Sequence, residues 1–522
     1  MPEYLSPGIY VEEVERGAKP IQGAGTAMAA FIGFAASGPC DQPVLVTNWS
    51  QFVETFGALD ESGRRQPHID GAYLSHSVYA YFANGGGRCY VSRIAPAVMP
   101  TAIARLAIPS ATSEGSTALS LSRRGELTSD LEIQISGVSP KAPKDGPAVF
   151  SVKLRAGDIE ETYEKVSMAP DDAQYVVTLL NEKSSLVQLE VPTKSSARGK
   201  KVPDAALPKA GTYVLRLSQA AQLPQVNFNQ FIGDVAARSG AQGLEVADDV
   251  TMVCCPDLMS AFESGALDRD GVKAVQLAIL NHCERMGDRF AILDALPGLT
   301  PQQVANWRLH EAGYDSKYGG LYYPWIEVMG PDGKPMRMPP SGHIAGIYAR
   351  SDAERGVHKA PANEIVRGAL RTTLQITKGE QDTLNPIGVN CIRSFTGRGL
   401  RVWGARTLSS DPAWRYINVR RLFSYVERSI EIGTQWIVFE PNTPDLWARV
   451  KRDVGAFLTN VWRDGMLFGR TPSEAFYVKC DEELNPPEVR DLGQLVIEVG
   501  LAPVKPAEFV IFRMSQWSGG GP

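Results

Sequence analysis

Apolar and polar positions alternate over Gly8-Ile9-Tyr10-Val11-Glu12-Glu13-Val14, the period of an extended strand. Pro7 precedes the run, and small, flexible residues from Gly17 to Gly25 follow it. This predicts a lone strand on a tether, with a first strand folded into its own domain as the other reading. A buried-strand pattern begins at Ala29-Ala30-Phe31-Ile32-Gly33-Phe34 and closes at Ser37-Gly38-Pro39, and Val44-Leu45-Val46 forms a second strand. Ser50 is placed to cap a short helix through Phe56 that Gly57 ends. A longer helix carries Leu74, Val78, Tyr81 and Phe82 on one face and stops at Asn84-Gly85-Gly86-Gly87. Cys89 to Ile94 is the next strand. Strand, helix and strand in short order predict an α/β layer.

From about Pro100 to Pro224 helical periodicity gives way to short alternating runs. They are Ala118-Leu119-Ser120-Leu121, Leu131 to Ile135, Val149 to Leu154 and Tyr213 to Leu217, separated by Gly, Pro, Ser and Lys clusters such as Ser195 to Lys201. The pattern predicts a separate β-rich domain inserted into the core. The α/β signature resumes near residue 244, with strands at Val250 to Cys255 and Phe290 to Asp294. A helix with Val272, Val275, Ile279 and Cys283 on one face lies between them, and Thr300-Pro301 opens another.

In the last region Val419, Leu422, Phe423, Val426 and Ile430 form a helical stripe that Gly433 stops. Trp436-Ile437-Val438-Phe439 reads as a strand. Thr443-Pro444-Asp445 starts a helix with Trp447, Val450, Val454, Phe457 and Val461 on its apolar face. Gln494 to Val499 and Glu508 to Met514 read as two further strands, the second trailing into glycines. No period of 20 to 50 residues indicates a repeat array.

Composition narrows the class. The 522 residues exceed what one core serves and predict two to four domains, at about 100–200 residues each. A net charge of -5, from 53 basic and 58 acidic residues, gives no global field for nucleic acid. No apolar run approaches the ~20 residues that cross a bilayer. Met1-Pro2-Glu3-Tyr4 does not resemble a signal peptide. Seven scattered cysteines with no Cys-x-x-Cys pair predict reduced thiols and folding in a cytoplasm.

Catalytic signatures are missing from the sequence. It contains neither a phosphate-binding loop nor a Gly-x-Ser-x-Gly elbow. His310-Glu311 opens like a zinc helix, but Tyr314 stands where the second ligand belongs. His343 and His358 could meet in space, and satisfied structural histidines are the simpler reading. The acidic pairs Glu160-Glu161 and Asp171-Asp172 fit a solvated surface. The expectation is a non-enzyme with no cofactor and no metal.

Five stretches carry more identity than propensity explains: Tyr318 to Trp325, Pro339 to Arg350, Ala353 to Glu364, Leu384 to Asn390 and Leu501 to Phe509. With the opening Tyr4 to Glu13 and with Phe82 to Val91, they closely resemble the tail sheath proteins of contractile phages and contractile injection systems. The resemblance covers residues 1–95 and 244–514, and the insertion matches in position only.

The resemblance implies a mixed α/β (α+β) core of sheath type with an inserted β-rich domain and extended terminal strand arms. The expected division is an N-terminal arm at 1–22, core at 23–99 and 225–384, and outer insertion at 100–224. A C-terminal domain at 385–505 and a C-terminal arm at 506–522 complete it. Family members stack hexameric rings into a helical tube around an inner tube, and their arms add strands to a small sheet on neighbours. That suits the lone strands carrying Ile9, Tyr10, Val11 and Val14, and Phe509, Val510, Ile511 and Phe512. The family's C-terminal domain touches the inner tube through a helix, which points to Arg449, Lys451, Arg452 and Arg463, with a solvated basic face as the other reading. Implied partners are further copies of the chain, an inner tube protein, and baseplate and terminator or cap proteins. Neither nucleic acid nor direct membrane insertion is expected. The implied function is a sheath that contracts from a metastable extended state and drives its tube through a target envelope. It would be made in a bacterial cytoplasm and carried in a phage tail or an injection particle. A hydrolase on the α/β core and an adhesin-like module on the insertion are the competing readings.

Overall fold

The computed structural model of the chain describes residues 20–40, 42–59, 64–94, 105–111, 117–123, 131–138, 147–157, 159–191, 193–195, 201–203, 207–215, 223–224 and 226–514. The expected N-terminal strand with Ile9, Tyr10, Val11 and Val14 lies outside them.

The apolar runs that read as buried strands build one eight-stranded sheet. Its order is Val44–Val46, Cys89–Arg93, Ala29–Gly33, Met252–Cys254, Phe290–Asp294, Gly319–Tyr323, Val389–Phe395 and Gly399–Val402. The first and last pairings are antiparallel and every pairing between them is parallel. All residues of Ala29–Gly33, Met252–Cys254, Phe290–Asp294 and Gly319–Tyr323 are buried. Both sheet faces are therefore covered, which is why these strands are continuously apolar and do not alternate. The expected boundary at 385 is corrected here: the strands at 389–395 and 399–402 complete the core sheet.

Two helices over this sheet explain the Pro339 to Arg350 stretch. Helix Ser341–Arg355 packs on helix Leu74–Asn84 through small residues one turn apart. A Cβ on Gly342 would lie 2.5 Å from the Ser77 carbonyl, and one on Gly346 2.6 Å from that of Tyr81. Only glycine permits this approach.

The insertion has its own apolar core and antiparallel sheets. Thr117–Arg123, Leu131–Ser136 and Val149–Ala156 extend three of the expected strands, and Gly211–Leu215 overlaps the fourth, whose residues 216 and 217 lie outside the described ones. It also holds a helix the pattern did not reveal, Val176–Lys183, too short to show more than Val176 and Leu180 as a buried face.

A third core gathers helices Ile417–Gly433 and Pro444–Arg463 with the two-stranded sheet of Phe476–Lys479 and Glu498–Leu501. Local expectations are corrected at several points. Asn48, and not Ser50, caps Trp49–Phe56, because its extended backbone lets its side chain accept from the Gln51 N–H at 2.9 Å. Trp436 to Phe439 is no strand. Gln435–Ile437 forms a single 3-10 turn, and Phe439 is fully exposed at φ 70°. Of Gln494 to Val499 only the last two residues join a strand. Glu508 to Met514 pairs with no strand among the described residues.

Candidate functional site

Helix Ile417–Gly433, here called the hub helix, receives both ends of the described chain. Its apolar stripe buries Val419, Leu422 and Val426. On the N-terminal side Ile21 is buried against Gly433. The Ala24 N–H donates to Ser429 Oγ at 2.9 Å, and Arg421 Nη2 donates to the Thr26 carbonyl at 2.8 Å. Arg421 also grips Asp352 of the core with two nitrogens, at 2.9 and 2.6 Å, and both side chains are 4% exposed. The segment Gly17 to Gly25 is thus no free tether throughout: from Ile21 onward it is fastened.

The C-terminal segment returns to the same helix. Asn418 Nδ2 donates to the carbonyls of Val504 and His358, at 3.2 and 2.7 Å. The Tyr416 hydroxyl, at the helix N-cap, donates to Glu508 at 2.9 Å. Phe509, Val510, Ile511 and Phe512 then stand 71, 68, 78 and 84% exposed. Four successive apolar side chains are in water, the condition of a segment that has yet to find a packing partner.

The small sheet presents the complementary surface. Phe476 pairs with Leu501 and Lys479 with Glu498, and no third strand flanks the pair among the described residues. Two strands alone are marginal in water, and their open edges carry unpaired N–H and C=O groups. This sheet packs against helix Pro444–Arg463, here called the basic helix.

Thr443 caps the basic helix, and its periodic stripe buries Leu446, Trp447, Val450, Val454, Phe457, Leu458 and Val461. Arg449, Lys451, Arg452 and Arg463 are all exposed. At about 100° per residue Arg449, Arg452 and Arg463 fall within about 60° of one another, whereas Lys451 lies about 100° from Arg452, about 120° from Arg463 and about 160° from Arg449, on the flank. The structure brings the three arginines to one face and leaves the lysine off it. Arg449 also stacks on Trp436, 4.6 Å from the ring centroid, and Arg452 pairs with Asp453 at 3.1 Å.

Three strongly shifted groups elsewhere are enclosed in the main core. Burial pushes Asp257 up to about 7 against the backbone N–H groups of Phe34, Tyr73 and Leu74, which it staples. Burial likewise raises Asp294 to about 7, where it receives the Ser341 N–H at 2.9 Å. His343, fully enclosed in the first turn of its helix, is lowered to about 4 by burial. No three His, Cys, Asp or Glu side chains among the described residues could hold a metal. No helix among them is long and apolar enough to cross a membrane.

Sequence reasoning missed the hub helix's role. Its signal was Arg420-Arg421 inside an apolar stripe. Arg420, 2% exposed, lies over the rings of Tyr318 and Trp414, both at 4.7 Å, and donates to Glu427 at 2.7 Å.

Comparison with known proteins places this architecture. A family model described as the phage tail sheath protein central domain matches residues 249–408. Another, the phage tail sheath C-terminal domain, matches 409–516, so the two span just over half of the chain. The tail sheath protein of Vibrio phage KVP40 is 29% identical over 177 residues, 33% of this chain and 26% of that protein. That of Burkholderia phage BcepMu is 22% identical over 529 residues, 97% of this chain and 95% of that protein. Among solved structures, the contracted sheath complex of the extracellular contractile injection system PVC shares the fold at TM-score 0.58 and 22% identity, over 99% of both chains. The contracted helical sheath of the anti-feeding prophage does so at TM-score 0.58 and 24% identity, covering 98% of this chain and 99% of that one.

Proposed function

The chain belongs to the phage tail sheath family, the structural subunits of contractile tails, and on that premise we propose how it assembles. The exposed run Phe509 to Phe512 of one copy adds to the open edge of the Phe476–Lys479 and Glu498–Leu501 sheet of another. The carrying observation is that one chain holds both halves of this contact, an exposed apolar run paired with nothing and a two-stranded sheet with open edges. The segment with Ile9, Tyr10, Val11 and Val14 is proposed as the second arm.

The magnitudes favour a lattice over an isolated pair. Half of Phe509 to Phe512 facing inward contributes roughly 3–6 kcal/mol gross, at about 1.5–3 kcal/mol per side chain. Ordering the arm costs about 1–2 kcal/mol per residue. One arm is marginal, and many held at once are not. Copies stack as hexameric rings around an inner tube, with baseplate and cap proteins at the two ends. The three arginines of the basic helix face the tube, with Lys451 on the flank of that contact. Contraction is relaxation of a metastable extended lattice to a wider, shorter one in which the arm pairings persist. We propose no catalytic role, since the strongly shifted carboxyls Asp257 and Asp294 are enclosed and spent on backbone staples. The particle is a phage tail or an injection device made in a bacterial cytoplasm.

Removal of residues 509–522 tests the arm. The shortened chain is expected to keep its circular dichroism and melting temperature and to sediment as a monomer where the full chain pellets. Pelleting at the full-length concentration would refute the arm contact.

A further inference from the structure

The C-terminal run leaves the body at one charged side chain. Glu508 Oε1 accepts from Arg406 Nε at 2.9 Å and from Asn385 Nδ2 at 2.7 Å. Its Oε2 accepts from Arg406 Nη2 at 2.7 Å and from the Tyr416 hydroxyl at 2.9 Å. Arg406 is 9% and Glu508 19% exposed, so this is no surface ion pair. The donors come from three places. Asn385 begins the turn after helix Lys378–Leu384, Arg406 follows the last core strand, and Tyr416 caps the hub helix. Two of the stretches singled out in the sequence, Leu384 to Asn390 and Leu501 to Phe509, thus meet through the Asn385–Glu508 contact.

A bidentate arginine fixes the plane of a carboxylate as well as its position. The next residue, Phe509, is already 71% exposed, and among the described residues no hydrogen bond ties 509–514 to the body. We propose that Glu508, held by Arg406, Asn385 and Tyr416, is the positioning residue of the C-terminal arm, fixing where and in which direction the arm leaves for a second copy of this chain. The inference rests on the reading of residues 509–514 as an arm. Its physical content is preorganisation: an arm whose root is already fixed loses less freedom when it docks. The same hub helix also holds Ala24 and Thr26, so the clamp fixes the C-terminal root relative to the N-terminal segment.

The test uses the full chain with Glu508→Gln, which keeps the shape and loses the charge. Tyr416→Phe serves as the milder variant, removing one donor of the four contacts. Three quantities are read for each: melting temperature of dilute protein, hydrogen exchange over residues 503–514, and the concentration at which half the protein pellets as tubes. The expected result is faster exchange at the root in both variants, with any fall in melting temperature confined to Glu508→Gln, which leaves Arg406 half-paired, and none for Tyr416→Phe. The pelleting concentration should rise about tenfold for Glu508→Gln, less for Tyr416→Phe, as loss of a charge-assisted pair predicts. Wild-type pelleting by both variants, with the chain ending at residue 508 unable to assemble, would overturn the clamp and leave the arm standing. Assembly by that shortened chain would remove the arm and the clamp together. A fall in melting temperature that tracks the loss of assembly in both variants would make Glu508 a general stabiliser and overturn the proposal as well.

Discussion

His343 is enclosed near the start of its helix, and its Nδ1 has no hydrogen-bond partner among the described residues. Burial holds its pKa near 4, below the ordinary 6.5. A depressed histidine stays neutral when folded and binds a proton when unfolded. Its stabilising effect is therefore complete above about pH 6.5 and is lost as pH falls toward 4. Asp257 and Asp294, raised to about 7, act with the opposite sign: their effect is complete at low pH and is lost as pH rises from the ordinary 3.8 to 7. His343→Leu removes only the first slope. Urea unfolding of dilute protein between pH 4 and 6.5 should show the pH slope reduced by up to one proton, about 1.4 kcal/mol per pH unit. Identical slopes would mean that His343 is protonated in the fold. Such residue-scale facts were the least legible in the sequence. Arg421 and Asp352, or Arg406 and Glu508, lie too far apart along the chain for spacing to link them. Arg420 and Arg421 inside an apolar stripe were a visible anomaly, and periodicity alone could not name their partners.

Glycine acts with opposite sign on two helices, depending on what each packs against. A Cβ on Gly342 would meet the Ser77 backbone at 2.5 Å, so Gly342→Ala should destabilise by about 1–3 kcal/mol through forced separation of the two helices. Gly455, inside the basic helix, has nothing within 4 Å of the same position. Gly455→Ala should stabilise by about 0.5–1 kcal/mol by removing backbone freedom from the unfolded chain. Thermal melts of the two variants check both signs, and a shift in the same direction would contradict the packing assigned here. Elements were legible where burial leaves a strong mark, as unbroken apolar runs in the core strands and as helical stripes in both long helices of the C-terminal core. Trp436 to Phe439 misled because four apolar residues in a row fit a strand. Trp436 instead lies beneath Arg449, while Phe439 turns outward. Helix Val176–Lys183 was hidden because eight residues carry about two turns of pattern.

The described residues form three cores, with exposed apolar features concentrated among those toward the C-terminal end. The basic helix is the face on which charge should matter. Reversing Arg449, Arg452 and Arg463 to glutamate should leave the monomer folded and weaken tube-templated assembly, with a deficit that changes with salt. Lys451→Glu, on the flank, should cost less, and equal effects of the two changes would place the contact elsewhere. The mixed α/β class was readable from the sequence because unbroken apolar strands and helical stripes each leave a local pattern. The division at 385 failed because a parallel sheet takes strands from distant stretches and their order leaves no local mark. The claim on which the rest depends is that this chain polymerises by strand exchange. Negative-stain electron microscopy of the purified, concentrated full-length protein, with the inner tube protein added, tests it most directly. Hollow striated tubes from the full chain, and none from the chain lacking 509–522, are the predicted result, whereas full-length protein that stays as small uniform particles would contradict it.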